Sequence, residues 1–228
     1  MINNKNIIGN GLIARAFLNS DSLKNTIIFA SGVSNSKETL DSEFLREKKL
    51  LIETLKKCNE RVTFVYFSTC SQYQKNKTQY IEHKIEMENI IKNNRINYII
   101  ARLPNVISNN NNNTMIPFFI KKIKDRECIK VFGEEYRQFI ATDDIVRIVS
   151  LLRKSFFKGE INLTNGKNIK IKKVVETISE LLSINVDVEI QPKGEKYIIP
   201  CDKLKSLIPE DKIYSEKYFI TALNKLLN

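Results

Sequence analysis

Residues 62–88 read VTFVYFSTCSQYQKNKTQYIEHKIEME, and the fold follows from how this stretch changes character. Its first part, residues 62–67, is apolar and rich in β-branched and aromatic side chains, which predicts a buried strand. Small hydroxyl residues, Ser68-Thr69-Cys70-Ser71, then end it. After a polar loop, Tyr80-Ile81-Glu82-His83-Lys84 enters a helical pattern. Tyr80 and Lys84 stand four apart, so on a helix they share a face, with Cβ atoms roughly 5–6 Å apart. An ammonium beside a phenol favours the phenolate. The expectation is a Tyr80 pKa lowered toward working pH, able to trade protons with a substrate hydroxyl or carbonyl. Thr69, at the strand end, can hydrogen-bond the same oxygen. A Tyr-x-x-x-Lys pair by itself is more often a solvated lysine beside a half-buried tyrosine; the strand ending in Ser-Thr upstream is what gives it weight.

Upstream, residues 5–16 read KNIIGNGLIARA. A short strand over 6–8 runs into Gly9-Asn10-Gly11-Leu12-Ile13-Ala14, a Gly-x-Gly-x-x-Ala turn opening a helix. Such a turn lets a pyrophosphate approach the backbone and sit at the helix N-terminus. A dinucleotide fold then needs a second strand about 20 residues on, ending in an acid for the adenosine ribose. Instead Thr26-Ile27-Ile28-Phe29-Ala30 leads into Ser31-Gly32-Val33-Ser34. Asp21, in the tight loop between, is a poor substitute, and Arg15 reads as a solvated helix arginine. Residues 38–58 predict a long helix with Leu40, Phe44, Leu51 and Leu55 on one core-facing side. Downstream, a strand over 98–101 meets Arg102-Leu103-Pro104-Asn105-Val106, and a loop containing Asn109 to Asn113 follows. An amphipathic helix begins at Pro117. Arg137-Gln138-Phe139-Ile140 precedes Asp143-Asp144, which serve as a helix start. A helix over 170–182, a strand over 186–190 and a helix over 215–227 complete the chain.

The order of these elements resembles the short-chain dehydrogenase/reductase superfamily, in its extended NAD-dependent epimerase/dehydratase branch acting on nucleotide sugars. There the catalytic Ser or Thr stands four residues before a closing Tyr, as Thr69 stands before Tyr73 here. The resemblance implies an α/β fold: a Rossmann-like, doubly wound parallel sheet with a small C-terminal substrate lobe. Family strands 2 and 3 are missing, since residues 26–34 match the fourth strand and its small-residue end beside the nicotinamide ribose. The nucleotide-binding domain is expected over 1–165, with 105–126 lent to the substrate lobe, and the lobe itself over 166–228. The implied catalytic set is Thr69, Tyr80 and Lys84. The implied cofactor contacts are Gly9, Gly11, Ala14, Ala30, Ser31, Ser68, Tyr80, Lys84 and Leu103. Ser34, Asn105 and Arg137 are the implied substrate contacts. Arg137 matches the arginine that grips the substrate diphosphate, for which a guanidinium fork is suited. The cofactor is NAD or NADP, undecided because the ribose acid is missing. No metal site is expected.

The chain has 228 residues, a net charge of +11 and 42% hydrophobic residues. That length suits one domain, or one with a small lobe. The lysines are dispersed rather than gathered into a stripe with aromatics, so nucleic acid is not an expected partner. No apolar run approaches the ~18 residues of a membrane span. Residues 1–5 lack an apolar signal region, and Cys58, Cys70, Cys128 and Cys201 have no paired spacing, so a reducing cytoplasm is expected. The helices over 38–58 and 79–94 offer a homodimer surface of the kind family members use, although an intramolecular core gives the same pattern.

Within the branch, dehydratases carry Asp-Glu directly after the catalytic Thr. Here the pair is Cys70-Ser71, which argues against dehydration. Cys70 is one residue off the position some epimerising members use, and His83 is expected to face away. What remains is hydride transfer on a nucleotide-diphosphate sugar, by ketoreduction or 4-epimerisation, for surface polysaccharide precursors. The alternative, motivated by the shortened sheet, is a degenerate member that binds a nucleotide or partner without catalysis.

Overall fold

The structure, a computed structural model, describes residues 6–18, 24–108 and 114–227. In chain order its elements begin β1 (Ile7–Ile8), α1 (Leu12–Phe17), β2 (Thr26–Phe29), α2 (Asp41–Leu55), β3 (Thr63–Thr69), α3 (Gln79–Lys92) and β4 (Asn97–Leu103). They continue β5 (Asn105–Ile107), α4 (Met115–Lys124), β6 (Ile129–Phe132), β7 (Tyr136–Arg137), β8 (Phe139–Ala141) and α5 (Thr142–Lys154). The last are β9 (Gly159–Asn162), β10 (Ile169–Lys170), α6 (Ile171–Leu182), β11 (Val188–Gln191), α7 (Asp202–Leu207) and α8 (Tyr218–Leu227). Asp21 and the Asn109 to Asn113 run lie outside the described residues.

The chain divides into two compact units. The first holds residues up to Leu103 together with Ile145–Asn162, and is built on a five-stranded sheet ordered β1-β2-β3-β4-β9. Every pair in it is parallel. β3 lies at its centre with six of seven residues buried, which is why its sequence reads as a continuous apolar run. On one face Phe29, Phe64, Tyr66 and Ile100 pack against Leu51 and Leu55 of α2 and Met87 and Ile91 of α3. Phe67 points to the other face, where its ring meets Phe17 of α1 at 5.7 Å. Leu40, expected in the α2 stripe, precedes the helix and is exposed.

β2 pairs directly with β1, in register Ile7 to Ile28, so the strand matched to the family's fourth lies beside the first. Helices cover both faces, as in a doubly wound sheet, but the strand order has no reversal; β1 is an edge. This has a topological consequence. The steps β1 to β2 and β2 to β3 run the same way across the sheet, yet α1 and α2 lie on opposite faces. The two crossovers therefore have opposite hands. α3 shares the face of α2, and right-handed crossovers account for about 98% of such units. The β1-α1-β2 step is the left-handed one.

The second unit holds Pro104–Asp144 with residues from Leu163 onward. It contains three strand pairs: β5 with β8 and β6 with β11, both parallel, and β7 with β10, antiparallel. α4, α6 and α8 enclose its core of Ile116, Phe119, Ile123, Val174, Ile178, Phe219 and Leu223. The sequence reading left residues 127–144 with the nucleotide-binding domain. The pairing of β5 with β8 and of β6 with β11 places them in the second unit instead.

Candidate active site

β3 ends at Thr69, whose Oγ1 accepts a hydrogen bond from the Ser71 amide at 3.0 Å and so caps a short 3-10 turn over Cys70–Tyr73. Thr78 then caps α3, its hydroxyl accepting from Ile81 N at 3.4 Å, with Glu82 in the first turn and Lys92 in the last. These ends match the helix dipole. They set Tyr80 in the first turn and Lys84 one turn on, both facing the sheet. Thr69, Tyr80 and Lys84 are all buried, at 6%, 8% and 3% exposure.

Lys84 is not free. Its Nζ lies 3.0 and 3.3 Å from the two carboxylate oxygens of Glu47 and 3.2 Å from the Tyr66 hydroxyl. Glu47, on α2, is wholly buried and has three partners besides Lys84: Tyr66 Oη at 2.6 Å, Val33 N at 2.6 Å and His83 Nε2 at 3.0 Å. Gly32 closes over this cluster. A Cβ there would stand 2.5 Å from Lys84 Nζ and 2.8 Å from a Glu47 oxygen.

Burial alone would raise the Glu47 pKa, but the charge of Lys84 and the bonds from His83, Tyr66 and Val33 bring it down to about 2. A carboxylate depressed in the folded state contributes stability that is present above its unfolded value and lost as pH falls through the folded one. Glu47 therefore contributes stability at neutral pH that is lost as pH falls from the ordinary value of 4.5 to about 2, offset in part by Lys84, whose pKa burial pushes down. Acid titration followed by circular dichroism is expected to show that loss, and Glu47→Gln is expected to remove that part of the pH dependence.

The expected lowering of the Tyr80 pKa is not found. Burial raises it to about 12; Thr69 hydrogen bonding opposes this, while Glu47 and Cys70 add to it. Lys84 Nζ stands 5.9 Å from the centre of the Tyr80 ring, and its charge is already matched by Glu47. His83 does not face away either. It is buried between α2 and α3 on Glu47, its ring 4.8 Å from that of Phe44. Cys70 is buried, its thiol pushed up by burial, and it donates to the Arg102 carbonyl at 3.3 Å.

The glycine turn abuts the end of β2. Gly9 has φ +120°, and a Cβ there would lie 2.4 Å from the Ala30 carbonyl oxygen. Only glycine fits that close approach. Gly11 differs: its φ is −74°, and a Cβ on it would meet nothing within 4 Å. Ala14 is buried in α1, the helix-packing role that its position in the fingerprint has. Arg15 Nε donates to the Asn10 carbonyl at 2.8 Å and so ties the turn. Ser31 accepts from Arg46 Nη1 through its carbonyl at 3.1 Å, while Ser34 is exposed.

Ser68 and Leu103 sit at the same strand ends; Ser68 pairs with Arg102, and Thr69 with Leu103. Arg102 makes a two-pronged bond to the buried Glu88, at 2.9 and 2.6 Å. Tyr73 Oη accepts from Asn162 Nδ2 at 2.9 Å and from Arg102 at 3.5 Å. The first unit thus brings Gly9, Gly11, Ala30, Ser31, Ser68, Thr69, Tyr80, Lys84 and Leu103 to the carboxyl ends of β1–β4, where open α/β sheets bind ligands.

Asn105 and Arg137 belong to the second unit. Asn105 Nδ2 donates to the Gln138 carbonyl at 3.3 Å. Arg137 is ion-paired with Glu135, donates to the Tyr136 and Glu195 carbonyls at 2.7 and 3.3 Å, and stacks 5.3 Å above the Tyr197 ring. Gln138 is buried and bonded to Thr164.

The sequence profile of the NAD dependent epimerase/dehydratase family matches residues 27–163, more than half the chain. The chain belongs to that family. The match begins at β2 and leaves the glycine turn outside it. No curated protein sequence matches. Among solved structures, UDP-N-acetylglucosamine 4-epimerase from Methanobrevibacter ruminantium M1, in complex with UDP-N-acetylmuramic acid, is similar with a TM-score of 0.73 at 21% identity. The alignment covers 93% of this chain and 80% of that one. The Bacillus cereus UDP-N-acetylglucosamine 4-epimerase gives 0.73 at 19% identity, over 91% and 78% of the two chains. RMD from Pseudomonas aeruginosa, complexed with NADPH, gives 0.69 at 14%, over 90% and 83%. At these identities the likeness is one of fold.

A family built on NAD poses a test for the residues present here. The open space over Gly11 and the β2 exit at Ala30 and Ser31 suit a pyrophosphate and a nicotinamide ribose. The adenosine side is poorer: among the described residues no strand lies beyond β1 to carry a ribose acid. Glu47 is the functional candidate that sequence reasoning missed. It stands four residues before Leu51 and eight before Leu55, a carboxylate on a stripe read as apolar, and that placement was its signal. Tyr66 was hidden in the apolar run of β3.

Proposed function

We propose that this chain is an NAD(P)-dependent enzyme of nucleotide-diphosphate sugars. It transfers hydride at a sugar carbon, by ketoreduction or 4-epimerisation, to supply cytoplasmic precursors of surface polysaccharide. The observation that carries this reading is the clustering of Thr69 and Tyr80 with the Gly9–Gly11 turn and the Ala30–Ser31 exit at one end of the parallel sheet. The nicotinamide supplies or accepts the hydride. Gly9, Gly11 and Ala14 form the turn that receives its pyrophosphate; Ala30, Ser31, Ser68 and Leu103 line the nicotinamide side. The Thr69 hydroxyl orients the sugar oxygen, and the Tyr80 hydroxyl exchanges a proton with it. Lys84 completes the catalytic set, its influence on Tyr80 governed by Glu47. Ser34, Asn105 and Arg137 take the substrate, and Arg137 exchanges its Glu135 partner for the diphosphate. Exposed Leu40 and Leu45, at 61% and 54%, favour a homodimer through α2 and α3.

Turnover of a panel of UDP- and dTDP-linked sugars and ketosugars with each nicotinamide cofactor tests the reading. Tyr80→Phe is expected to lower kcat by about 10²- to 10⁴-fold while leaving the circular dichroism spectrum unchanged. One observation favours a second reading, a binding module without catalysis: both cations of the proposed site, Lys84 and Arg137, are held by glutamates. Unchanged biological function in a folded Tyr80→Phe protein would select that reading.

A further inference from the structure

Glu47 lies outside the catalytic set, yet it makes more polar contacts than any member of it. Its two oxygens are held by Lys84, Tyr66, His83 and the Val33 amide, all from 2.6 to 3.3 Å. These partners come from β3, α3 and the β2 exit, so the carboxylate cannot swing away without breaking contacts on three elements. A lone ammonium beside Tyr80 would favour the phenolate. An ammonium paired at 3.0 Å with a carboxylate presents nearly cancelling fields at the phenol. Among the described residues, the titratable groups around Tyr80 and Lys84 include His83, which bonds Glu47 itself at 3.0 Å. Thr69 and Cys70 face Tyr80; Tyr66, Arg46 and Glu88 act on Lys84, and of these Arg46 is exposed and bonded to Glu43 and Ser31.

We propose that Glu47 is a positioning residue that cancels the charge of Lys84 and keeps Tyr80 a proton donor, so that the site reduces a sugar carbonyl rather than oxidising a sugar alcohol. This rests on the hydride-transfer reading above and narrows it to ketoreduction. In that direction the carbonyl carbon gains a hydride from the reduced nicotinamide, which is thereby oxidised. The Tyr80 O–H bond breaks, the carbonyl oxygen takes the proton, and the resulting tyrosinate is reprotonated from water. Oxidation would need Tyr80 ionised before the alcohol proton is taken, the state that the Glu47–Lys84 pair does not promote. The raised Tyr80 pKa agrees with this assignment.

The test reads Tyr80 in the cofactor-free protein. Tyrosine labelled with ¹³C at Cζ is titrated by NMR, with Tyr80→Phe assigning the signal. Glu47→Gln leaves Lys84 uncompensated, so the Tyr80 midpoint is expected at least ~1 pH unit below wild type, about tenfold more phenolate at any pH below both midpoints. A midpoint within ~0.3 pH units of wild type in a folded Glu47→Gln protein overturns the proposal. Should Glu47→Gln not fold, the double variant Glu47→Gln/Lys84→Met removes both charges. Cancellation then predicts a wild-type midpoint, and a displacement of more than ~1 pH unit overturns it. No nicotinamide is present in this titration. A wild-type protein that binds no cofactor therefore overturns the hydride-transfer reading separately, and a Tyr80 indifferent to Glu47 overturns only the assignment of direction.

Discussion

Lys84→Met is expected to lower the stability of the protein by about 3–5 kcal/mol, measured by urea denaturation at pH 7. The reason is what it leaves behind. Glu47 is fully buried, and Lys84 is its charge partner at 3.0 Å. Removing the ammonium leaves a carboxylate in the interior of the α2–α3 layer without its lysine partner, held by Tyr66, His83 and the Val33 amide. Removing both charges is different. Glu47→Gln/Lys84→Met keeps side chains of similar volume and leaves no uncompensated charge, so most of the loss is expected to be recovered. A single variant that costs under ~1 kcal/mol would mean that the pair is not formed in the folded protein. The double variant also separates stability from chemistry, since a folded protein with a neutral pair can still be assayed for cofactor binding.

Gly9→Ala is the second large effect, and Gly11→Ala is its control. An alanine at position 9 would have to hold φ near +120° and place its Cβ 2.4 Å from the Ala30 carbonyl oxygen. The β1–β2 contact must then open. A loss of roughly 3 kcal/mol is expected, combining backbone strain with the clash. At position 11 the backbone is ordinary and the space is empty. Gly11→Ala is expected to change stability by less than ~0.5 kcal/mol. Its effect should fall on dinucleotide binding instead, because the fingerprint keeps that position bare for the pyrophosphate. Urea midpoints and cofactor affinity measured on the pair give the contrast. Equal stability of the two variants would remove the structural role assigned to Gly9.

The parts of the fold that were legible in the sequence are those governed by local pattern. The apolar run of β3, the hydroxyl residues that end it and the capped helix carrying Tyr80 and Lys84 each announce themselves within a few residues. The missing strands were legible too, because Thr26–Phe29 leads into small residues rather than an acid. Long-range pairing was not. Glu47 meets Lys84 across 37 residues of chain, and on α2 it shares a stripe with Leu51 and Leu55 that periodicity alone assigns to the core. Hence the Tyr80 pKa was expected to fall, when its supposed activator is already neutralised. Arg137 shows the same limit: its motif is local, but Glu195 and Tyr197, which hold it, come from sixty residues on. The left-handed β1-α1-β2 step is invisible for another reason. Sequence tells that two strands were lost, but not which face α1 keeps after the loss.

The central claim is that a sheet shortened on its adenosine side still builds a nicotinamide site. It is tested most directly by fluorescence titration of the purified protein with NADH and with NADPH, after assay for cofactor carried through purification. The account predicts saturable binding of one of them, weakened in Gly11→Ala. Binding of neither by a folded protein would contradict it, and would leave Tyr80 and Lys84 as parts of a module that binds without transferring hydride.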